Sequence, residues 1–263
     1  MAALELLGGG IELVVSPDHG FGTDAFLLAD FADPKKTDLV CDLGTGCGII
    51  PLLLRRNGVT GDLYGVDIQE AAIAQFTESV ARNTEKFPDG GFDRVYPVLA
   101  DLKTLADGAA ADLPVPLPFG RFKTVIMNPP YKMSGAGILS ETAADQIARH
   151  ETECTIEDVS AAASRLLNFG GKLAICQRPE RLTDCMAAFR AHGIEPKRLR
   201  FVQKQPDTVP WLFLLSGTLG GKPWLQVDPP LFIQSPDGSD SDELKRILGA
   251  YTNEVKEQEK QHE

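Results

Sequence analysis

Short apolar runs alternate along the chain with longer stretches in which apolar residues recur every three or four positions. The runs have the length and the β-branched content of buried strands, whereas the longer stretches have the spacing of amphipathic helices. Strands that alternate with helices predict one doubly wound, mostly parallel sheet of the Rossmann-like type. The predicted strands of that sheet are residues 38–41, 63–66, 94–99, 122–127, 172–176, 199–202 and 209–215.

The last two of these strands are separated by residues 204–208 only. Since that loop is too short for a crossover, the two strands are expected to pair antiparallel. The sequence therefore predicts an α/β fold with a seven-stranded sheet and an antiparallel final hairpin. A capping-box pattern at Thr155 and Asp158 predicts the start of a helix, and Gly170-Gly171 predicts its end.

The same pattern divides the chain into three regions. Residues 1–34 predict a hairpin and a helix that closes over a ligand. Thr23 is a plausible N-cap of that helix, and Asp24 favours its positive end. Residues 35–235 hold the sheet, and residues 236–263 predict an exposed C-terminal helix with a frayed end.

The tetrapeptide Asn128-Pro129-Pro130-Tyr131 follows the apolar run 122–127. Neither proline can donate to a sheet ladder, so the strand must end at Asn128 with a rigid turn at its carboxyl end, where open α/β sheets bind ligands. The amide oxygen and a proline carbonyl suit the two hydrogens of an NH2 group, and the aromatic ring suits a planar group. The alternative is an ordinary strand-ending turn. Residues 132–153 are long for a connection and predict a lid or substrate loop.

A glycine loop, Asp42-Leu43-Gly44-Thr45-Gly46-Cys47-Gly48, joins the strand at 38–41 to a helix. Glycines let the backbone approach a ligand closely, and the helix start offers unpaired N–H groups. The dinucleotide fingerprint requires glycine at the sixth position, which here is Ile49, so a dinucleotide oxidoreductase is disfavoured. The spacing matches the D-x-G-x-G-x-G form used for S-adenosyl-L-methionine (SAM), and a chance glycine loop is the alternative.

Two further acids follow the next two predicted strands. Asp67 lies about 20 residues after the glycine loop, the spacing expected for a carboxylate that accepts from ribose hydroxyls. Asp101 lies where a carboxylate can accept from the adenine amino group of the cofactor. The alternative for both is a structural role at the surface. The candidate cofactor-binding residues in these segments are Asp42, Gly44, Thr45, Gly46, Gly48, Asp67, Ile68, Asp101, Leu102 and Asn128.

Charge narrows the possible partners. The net charge of −11 argues against a general nucleic-acid binder, since phosphates favour a basic surface. Residues 178–204 are nevertheless locally basic, which predicts either a basic binding face or an ordinary solvated helix and strand. The candidate residues of that basic face are Arg178, Arg181, Lys197, Arg198, Arg200 and Lys204.

The cysteine pattern and the hydropathy indicate the compartment. Five cysteines without a C-x-x-C pair indicate reduced, buried thiols, and no disulfide or metal site is expected. No apolar run is long enough to span a bilayer, and the first residues do not resemble a signal peptide. A cytoplasmic location is therefore expected.

With both motifs in view, the chain resembles the class I SAM-dependent methyltransferases of the N-P-P-Y group. It is most similar to the bacterial tRNA1(Val) adenine-N6 methyltransferase family. The segments that carry the resemblance are residues 23–29, 42–48, 128–131, 147–151, 178–181 and 195–201, and it covers roughly residues 4–235.

The resemblance implies SAM as cofactor, with S-adenosyl-L-homocysteine as product, and contact between Thr23 and the methionine end of the cofactor. It also implies tRNA as partner, with methylation of the adenine just 3′ of a valine tRNA anticodon. The residues that it implies for catalysis are Asn128, Pro129, Pro130 and Tyr131.

Three other interpretations are weighed against this one. A glutamine-N5 methyltransferase of release factors makes the same demands on Asn128 and Tyr131, but that family carries an extra helical N-terminal domain. Only residues 1–41 precede the glycine loop here. A DNA adenine methyltransferase would bring a target-recognition domain, and none fits. A SAM-binding module without catalysis is disfavoured by the intact tetrapeptide.

Overall fold

The computed structural model describes residues 3–17, 19–107, 113, 115–129, 154–249 and 251 of the chain. Its strands are β1 (Ala3–Leu6), β2 (Glu12–Val15), β3 (Val40–Leu43), β4 (Leu63–Asp67), β5 (Val95–Leu99), β6 (Phe122–Met127), β7 (Leu167–Gln177), β8 (Ile194–Gln203), β9 (Leu212–Leu219), β10 (Gln226–Val227) and β11 (Leu231–Phe232). Its α-helices are α1 (Thr23–Ala32), α2 (Ile49–Arg56), α3 (Glu70–Lys86), α4 (Leu102–Asp107), α5 (Ile156–Leu166), α6 (Leu182–Ala191) and α7 (Asp242–Leu248).

Strand β3 lies inside a large mixed sheet, and all four of its residues are buried. The principal strands follow the order β8-β9-β7-β6-β3-β4-β5. Strand β9 is antiparallel to both of its neighbours, whereas the pairs among β7, β6, β3, β4 and β5 are parallel. The predicted fold class and the antiparallel pairing of the last two principal strands are confirmed.

Helices cover both faces of the sheet, which makes the fold doubly wound. One core contains side chains of α1, α2, α3 and α7, and the other contains side chains of α4, α5 and α6. Phe76, Phe122, Phe189 and Phe213 are among the largest fully buried side chains. Burying each such side chain stabilises the fold by about 1.5–3 kcal/mol.

The N-terminal hairpin β1–β2 docks on helix α3 through polar contacts. The backbone N–H of Val14 donates to Ser79 Oγ at 2.9 Å, and the N–H of Glu12 donates to Asn83 Oδ1 at 2.9 Å. Both accepting side chains are fully buried. These bonds satisfy backbone donors at an edge of the hairpin and hold the hairpin on helix α3.

Several sequence-based boundaries are wrong or incomplete. The capping box at Thr155 and Asp158 is confirmed, but helix α5 ends at Leu166 and Gly170-Gly171 lies inside strand β7. Gly170 adopts φ +79° where the β6–β7 register shifts, so this glycine marks an irregularity in a strand rather than a helix end. The two-residue strands β10 and β11, which add to the outer side of β8, were not predicted.

The C-terminal helix α7 is docked, not exposed as predicted. Leu244, Ile247 and Leu248 are buried in the same core as helix α1. The guanidinium of Arg56 donates to the carbonyl of Leu7 at 2.7 Å and to that of Leu248 at 2.9 Å, so one side chain joins the hairpin to the end of α7. Within the described ranges, no helix has the length and apolar content needed to cross a bilayer.

Candidate active site

The carboxyl ends of four parallel strands meet along one edge of the sheet, which we call the carboxyl rim. Leu43 of β3 pairs with Val66 of β4 and with Met127 of β6. The glycine loop and Asn128, which follow Leu43 and Met127, therefore leave the sheet side by side. Asp67 pairs with Leu99 at the end of β5, which places it on the same rim. The two motifs singled out in the sequence are neighbours.

The glycine loop is shaped by three positive φ angles, which are +64° at Gly44, +56° at Gly46 and +85° at Gly48. Such angles favour glycine at each position. A Cβ atom at Gly48 would lie 2.0 Å from the ring of Phe76, whereas one at Gly46 would meet no atom within 4 Å. Gly48 thus allows helix α3 to pack under the loop, and Gly46 leaves a bare stretch of backbone that a ligand can approach.

Asp42 is a buried carboxyl group at the start of the glycine loop. It is 2% exposed, and neither carboxylate oxygen has a hydrogen-bond partner among the described residues. Burial raises the pKa of Asp42 to about 8; the Thr45 side chain lowers it in part, and the charge of Asp67 raises it. A buried acid in this state is a ready partner for a cationic or hydrogen-donating group.

Asp67 connects strand β4 to the glycine loop. Its Oδ2 accepts from the N–H of Gly46 at 2.8 Å, and its Oδ1 accepts from the N–H of Gln69 at 2.9 Å. Each carboxylate oxygen can accept a second bond, so these contacts are compatible with ribose hydroxyls as further donors. Ile68 beside it is 42% exposed, unusually high for a large apolar residue next to a buried strand.

The remaining cofactor candidates occupy more modest positions. Asp101 Oδ1 accepts from the N–H of Lys103 at 2.8 Å and so caps helix α4, while Leu102 is buried in the core below. The side chain of Thr45 is 3% exposed, and its N–H donates to the carbonyl of Val66 at 2.9 Å. Thr23 is exposed at the start of α1, but the predicted N-cap role is wrong, because Gly22 holds that position in extended conformation.

The side chain of Asn128 is held between two other elements. Its Nδ2 donates to Asp24 Oδ2 at 3.1 Å, and the thiol of Cys176 donates to its Oδ1 at 3.0 Å. Asn128 is half-buried and Pro129 is buried. Pro130, Tyr131 and the whole 132–153 loop lie outside the described residues. The sequence analysis did not assign Asp24 or Cys176 to the site. The position of Cys176 at the end of a predicted strand was the one signal that could have placed it beside Asn128.

Most of the predicted basic face is engaged in contacts within the fold. Arg181 pairs with Asp184, Arg198 pairs with Asp228, and Lys197 Nζ donates to the carbonyl of Lys222. The guanidinium of Arg200 pairs with both carboxylate oxygens of Glu243, at 2.8 and 2.9 Å. The guanidinium of Arg198 also lies 4.5 Å from the centre of the Phe31 ring. The pairs of Arg198 and Arg200 join β8 to the C-terminal segment.

Arg178 and Lys204 differ from the others because both are exposed at the carboxyl rim. Arg178 follows β7, and Lys204 follows β8. Arg178 donates to the carbonyl of Trp211 at 3.1 Å, with its guanidinium 5.7 Å from the centre of that ring. Together they extend the rim beyond Asn128 with cationic and aromatic groups.

The donor set of the glycine loop fits SAM. The cofactor carries an ammonium group and a positively charged sulfur, and the buried Asp42 carboxyl lies at the base of a loop with open space beside Gly46. Among the described residues, no three His, Cys, Asp or Glu side chains are grouped so as to hold a metal ion. No disulfide joins any of the five cysteines, and four of them are buried.

The raised pKa of Asp42 gives a stability test. The folded protein retains a proton that the unfolded chain releases near pH 4, so the free energy of unfolding should fall between about pH 4 and pH 8. In the Asp42→Asn variant this fall should be smaller, because the substituted group does not titrate. Urea unfolding of both proteins at about pH 5 and pH 8 measures the difference. If the free energy of unfolding had the same pH dependence in both proteins, the raised pKa of Asp42 would be contradicted.

No family model matches this chain. A tRNA1(Val) (adenine(37)-N6)-methyltransferase of Tolumonas auensis is 26% identical over 224 residues, which is 85% of this chain and 85% of that protein. The protein of that name from Parabacteroides distasonis is 26% identical over 204 residues, which is 77% of this chain and 78% of that protein.

Solved structures give the fold. An Agrobacterium tumefaciens protein described as a predicted O-methyltransferase aligns with a TM-score of 0.63 and 21% identity, over 87% of this chain and 98% of that one. The chain has the Rossmann-like fold of class I methyltransferases, and the resemblance to the tRNA1(Val) (adenine(37)-N6)-methyltransferases that its motifs indicated is confirmed.

Proposed function

We propose that the chain is a SAM-dependent methyltransferase that acts on the exocyclic N6 amino group of an adenine in tRNA, next to the anticodon of valine tRNA. The observation that carries the proposal is the register of β3 and β6, which sets the glycine loop beside Asn128. The names of the similar proteins support the choice of tRNA. A cytoplasmic location is part of the proposal, since the substrate is an intracellular RNA.

The cofactor site in this proposal consists of the glycine loop and the acids beside it. Asp42 and the backbone at Gly46 would hold the amino-acid part, Asp67 would accept from the ribose hydroxyls, and Ile68 would cover one face of the adenine. Asp101 would accept from the adenine amino group, and Thr23 would contact the methionine end. SAM supplies an electrophilic methyl group on a positively charged sulfur.

The protein's task is to make a poor nucleophile reactive. The lone pair of an exocyclic amine is conjugated with the ring. When Asn128 Oδ1 and the Pro129 carbonyl accept the two amine hydrogens, the lone pair turns out of conjugation and toward the cofactor. This positioning is worth several kcal/mol. The bond from nitrogen to the methyl group forms as the bond from sulfur to that methyl group breaks, which leaves S-adenosyl-L-homocysteine. The alkylated nitrogen is acidic and releases its proton to water, so no general base is needed before transfer.

The target adenine must leave the base stack to reach Asn128. Enzymes that modify a base generally extrude it into a pocket and hold it by stacking and edge hydrogen bonds. Tyr131 is the candidate for the stacking contact, worth about 1–3 kcal/mol per base.

The first prediction tests the reaction itself. Wild-type protein with labelled SAM should methylate total tRNA, and nucleoside analysis should identify N6-methyladenosine. Asn128→Ala should lower methyl transfer about 100-fold or more, because the amine loses its acceptor, while the dissociation constant for SAM stays within about twofold. A release factor is offered as a second substrate. If it is labelled and tRNA is not, the substrate is a glutamine amide and not an adenine. Full turnover by Asn128→Ala would overturn the site.

The second prediction concerns Asp67. Asp67→Ala should raise the dissociation constant for SAM about tenfold or more, since hydrogen bonds to a charged group are worth about 1.5–3 kcal/mol. Asp67→Asn retains an acceptor for the N–H of Gly46 and should lose less affinity. Calorimetry of both variants gives the comparison. Unchanged affinity in Asp67→Ala would remove Asp67 from the ribose contact.

The third prediction concerns the RNA-binding face, which we place at Arg178, Lys204 and Trp211. Lys204→Ala should weaken tRNA binding and reduce the slope of log affinity against log salt by about one, the effect of one lost phosphate contact. Lys222 is an exposed lysine near the opposite edge of the sheet and serves as the matched control. In filter-binding measurements at several salt concentrations, Lys222→Ala should have the tRNA affinity and the salt slope of the wild-type protein. Equal slopes for both variants would place the RNA elsewhere.

A further inference from the structure

We infer that Asp24 is a positioning residue for Asn128, which it orients for its contact with the substrate amine. The inference rests on the proposed function and deepens it. Its observation is the contact between Asn128 Nδ2 and Asp24 Oδ2 at 3.1 Å, which joins the start of helix α1 to the end of strand β6.

The carboxylate of Asp24 is supported by a rigid element. It is the second residue of α1, and Ala25, Phe26 and Leu27 directly after it are buried. Its Oδ1 accepts from the N–H of Ala25 at 3.1 Å, a donor that is shared with the carbonyl of Gly22 at 3.2 Å. The other oxygen of the carboxylate faces Asn128.

Orientation matters because a carboxamide has two ends of nearly equal shape and opposite hydrogen-bonding character. The proposed reaction requires the oxygen of Asn128 to accept from the substrate amine. An ionised carboxylate can only accept, so Asp24 selects the arrangement in which the NH2 end of Asn128 faces α1. Cys176 donates to the oxygen end, which is compatible with the orientation that Asp24 selects.

The negative charge of Asp24 adds an electronic effect. A charge-assisted hydrogen bond is about twice as strong as a neutral one. Because the amide is conjugated, withdrawing its hydrogens toward a carboxylate increases the electron density on Oδ1, and hydrogen bonds in such a chain strengthen one another. Asn128 therefore becomes a better acceptor for the amine hydrogens. This effect favours the chemical step and not cofactor binding.

Steady-state kinetics of Asp24 variants test this role. Asp24→Ala should lower kcat about 10- to 100-fold, the range expected when a reacting group is misplaced, with the dissociation constant for SAM within about twofold of wild type. Asp24→Asn keeps an acceptor, and its kcat should lie between that of wild type and that of Asp24→Ala. The control is Asp242→Ala, which removes an exposed acid from the first turn of α7 and should leave kcat unchanged.

A reciprocal exchange separates positioning from general disruption. Asn128→Asp alone places two carboxylates in contact and should be nearly inactive. Combining it with Asp24→Asn restores a donor and an acceptor to the pair, and kcat should recover about tenfold or more relative to Asn128→Asp. A double variant no more active than Asn128→Asp would overturn the inference, as would wild-type kcat in Asp24→Ala.

A measurement without substrate keeps this inference distinguishable from the proposed function. In protein labelled with 15N at asparagine, the Asn128 side-chain NH2 signal is identified by its loss in Asn128→Ala. Asp24→Ala should shift that signal and speed its hydrogen exchange, and Asp242→Ala should not. An unaffected signal would refute the contact. If wild-type protein transfers no methyl group to tRNA while the signal behaves as expected, the substrate proposal fails and the Asp24 contact stands.

Discussion

The parallel register of β3 and β6 is the constraint from which the site follows. Leu43 opposite Met127 means that two loops distant in sequence leave the sheet at one height and in one direction. Since a shift of one residue would turn every side chain to the other face, burial of both strands fixes this register. A Cβ at Gly44 would lie 3.3 Å from Met127 Cε, so the glycine loop passes close to the end of β6.

Helix α1 is the second element that the site requires. It packs in the core with α2 and α7, and Arg246 pairs with both carboxylate oxygens of Asp30 at 2.8 and 2.9 Å. Exposed ion pairs of this kind contribute little each, so the buried apolar face of α1 determines where the helix lies. Its first turn then presents Asp24 to Asn128 as a consequence of core packing. The hairpin, α1 and α7 thus act on the site through the apolar core that they share.

The sequence was sufficient for the sheet and the two motifs, because each depends on a local pattern: an apolar run, a glycine spacing or a pair of prolines. It was insufficient for contacts between segments. Nothing local pairs Asp24 with Asn128. The partner of Arg198 is Asp228, which lies between two-residue strands that leave no periodic signal. The partner of Arg200 is Glu243, which lies on helix α7. The buried face of α7 had a detectable pattern in Leu244, Ile247 and Leu248, whose spacing is helical and apolar.

The charge distribution explains how an acidic chain can be proposed to act on RNA. Most arginines of the basic stretch are paired with acids, so they do not form a broad cationic surface. The pairs of Arg198 and Arg200 instead join β8 to the C-terminal segment. Long-range attraction is therefore weak in a protein with a net charge of −11. In the proposed function, recognition therefore depends on short-range contacts at the rim, where Arg178 and Trp211 lie beyond Asn128. Selectivity then depends on whether a base can be extruded into this site, which favours a flexible loop of RNA over a paired stem.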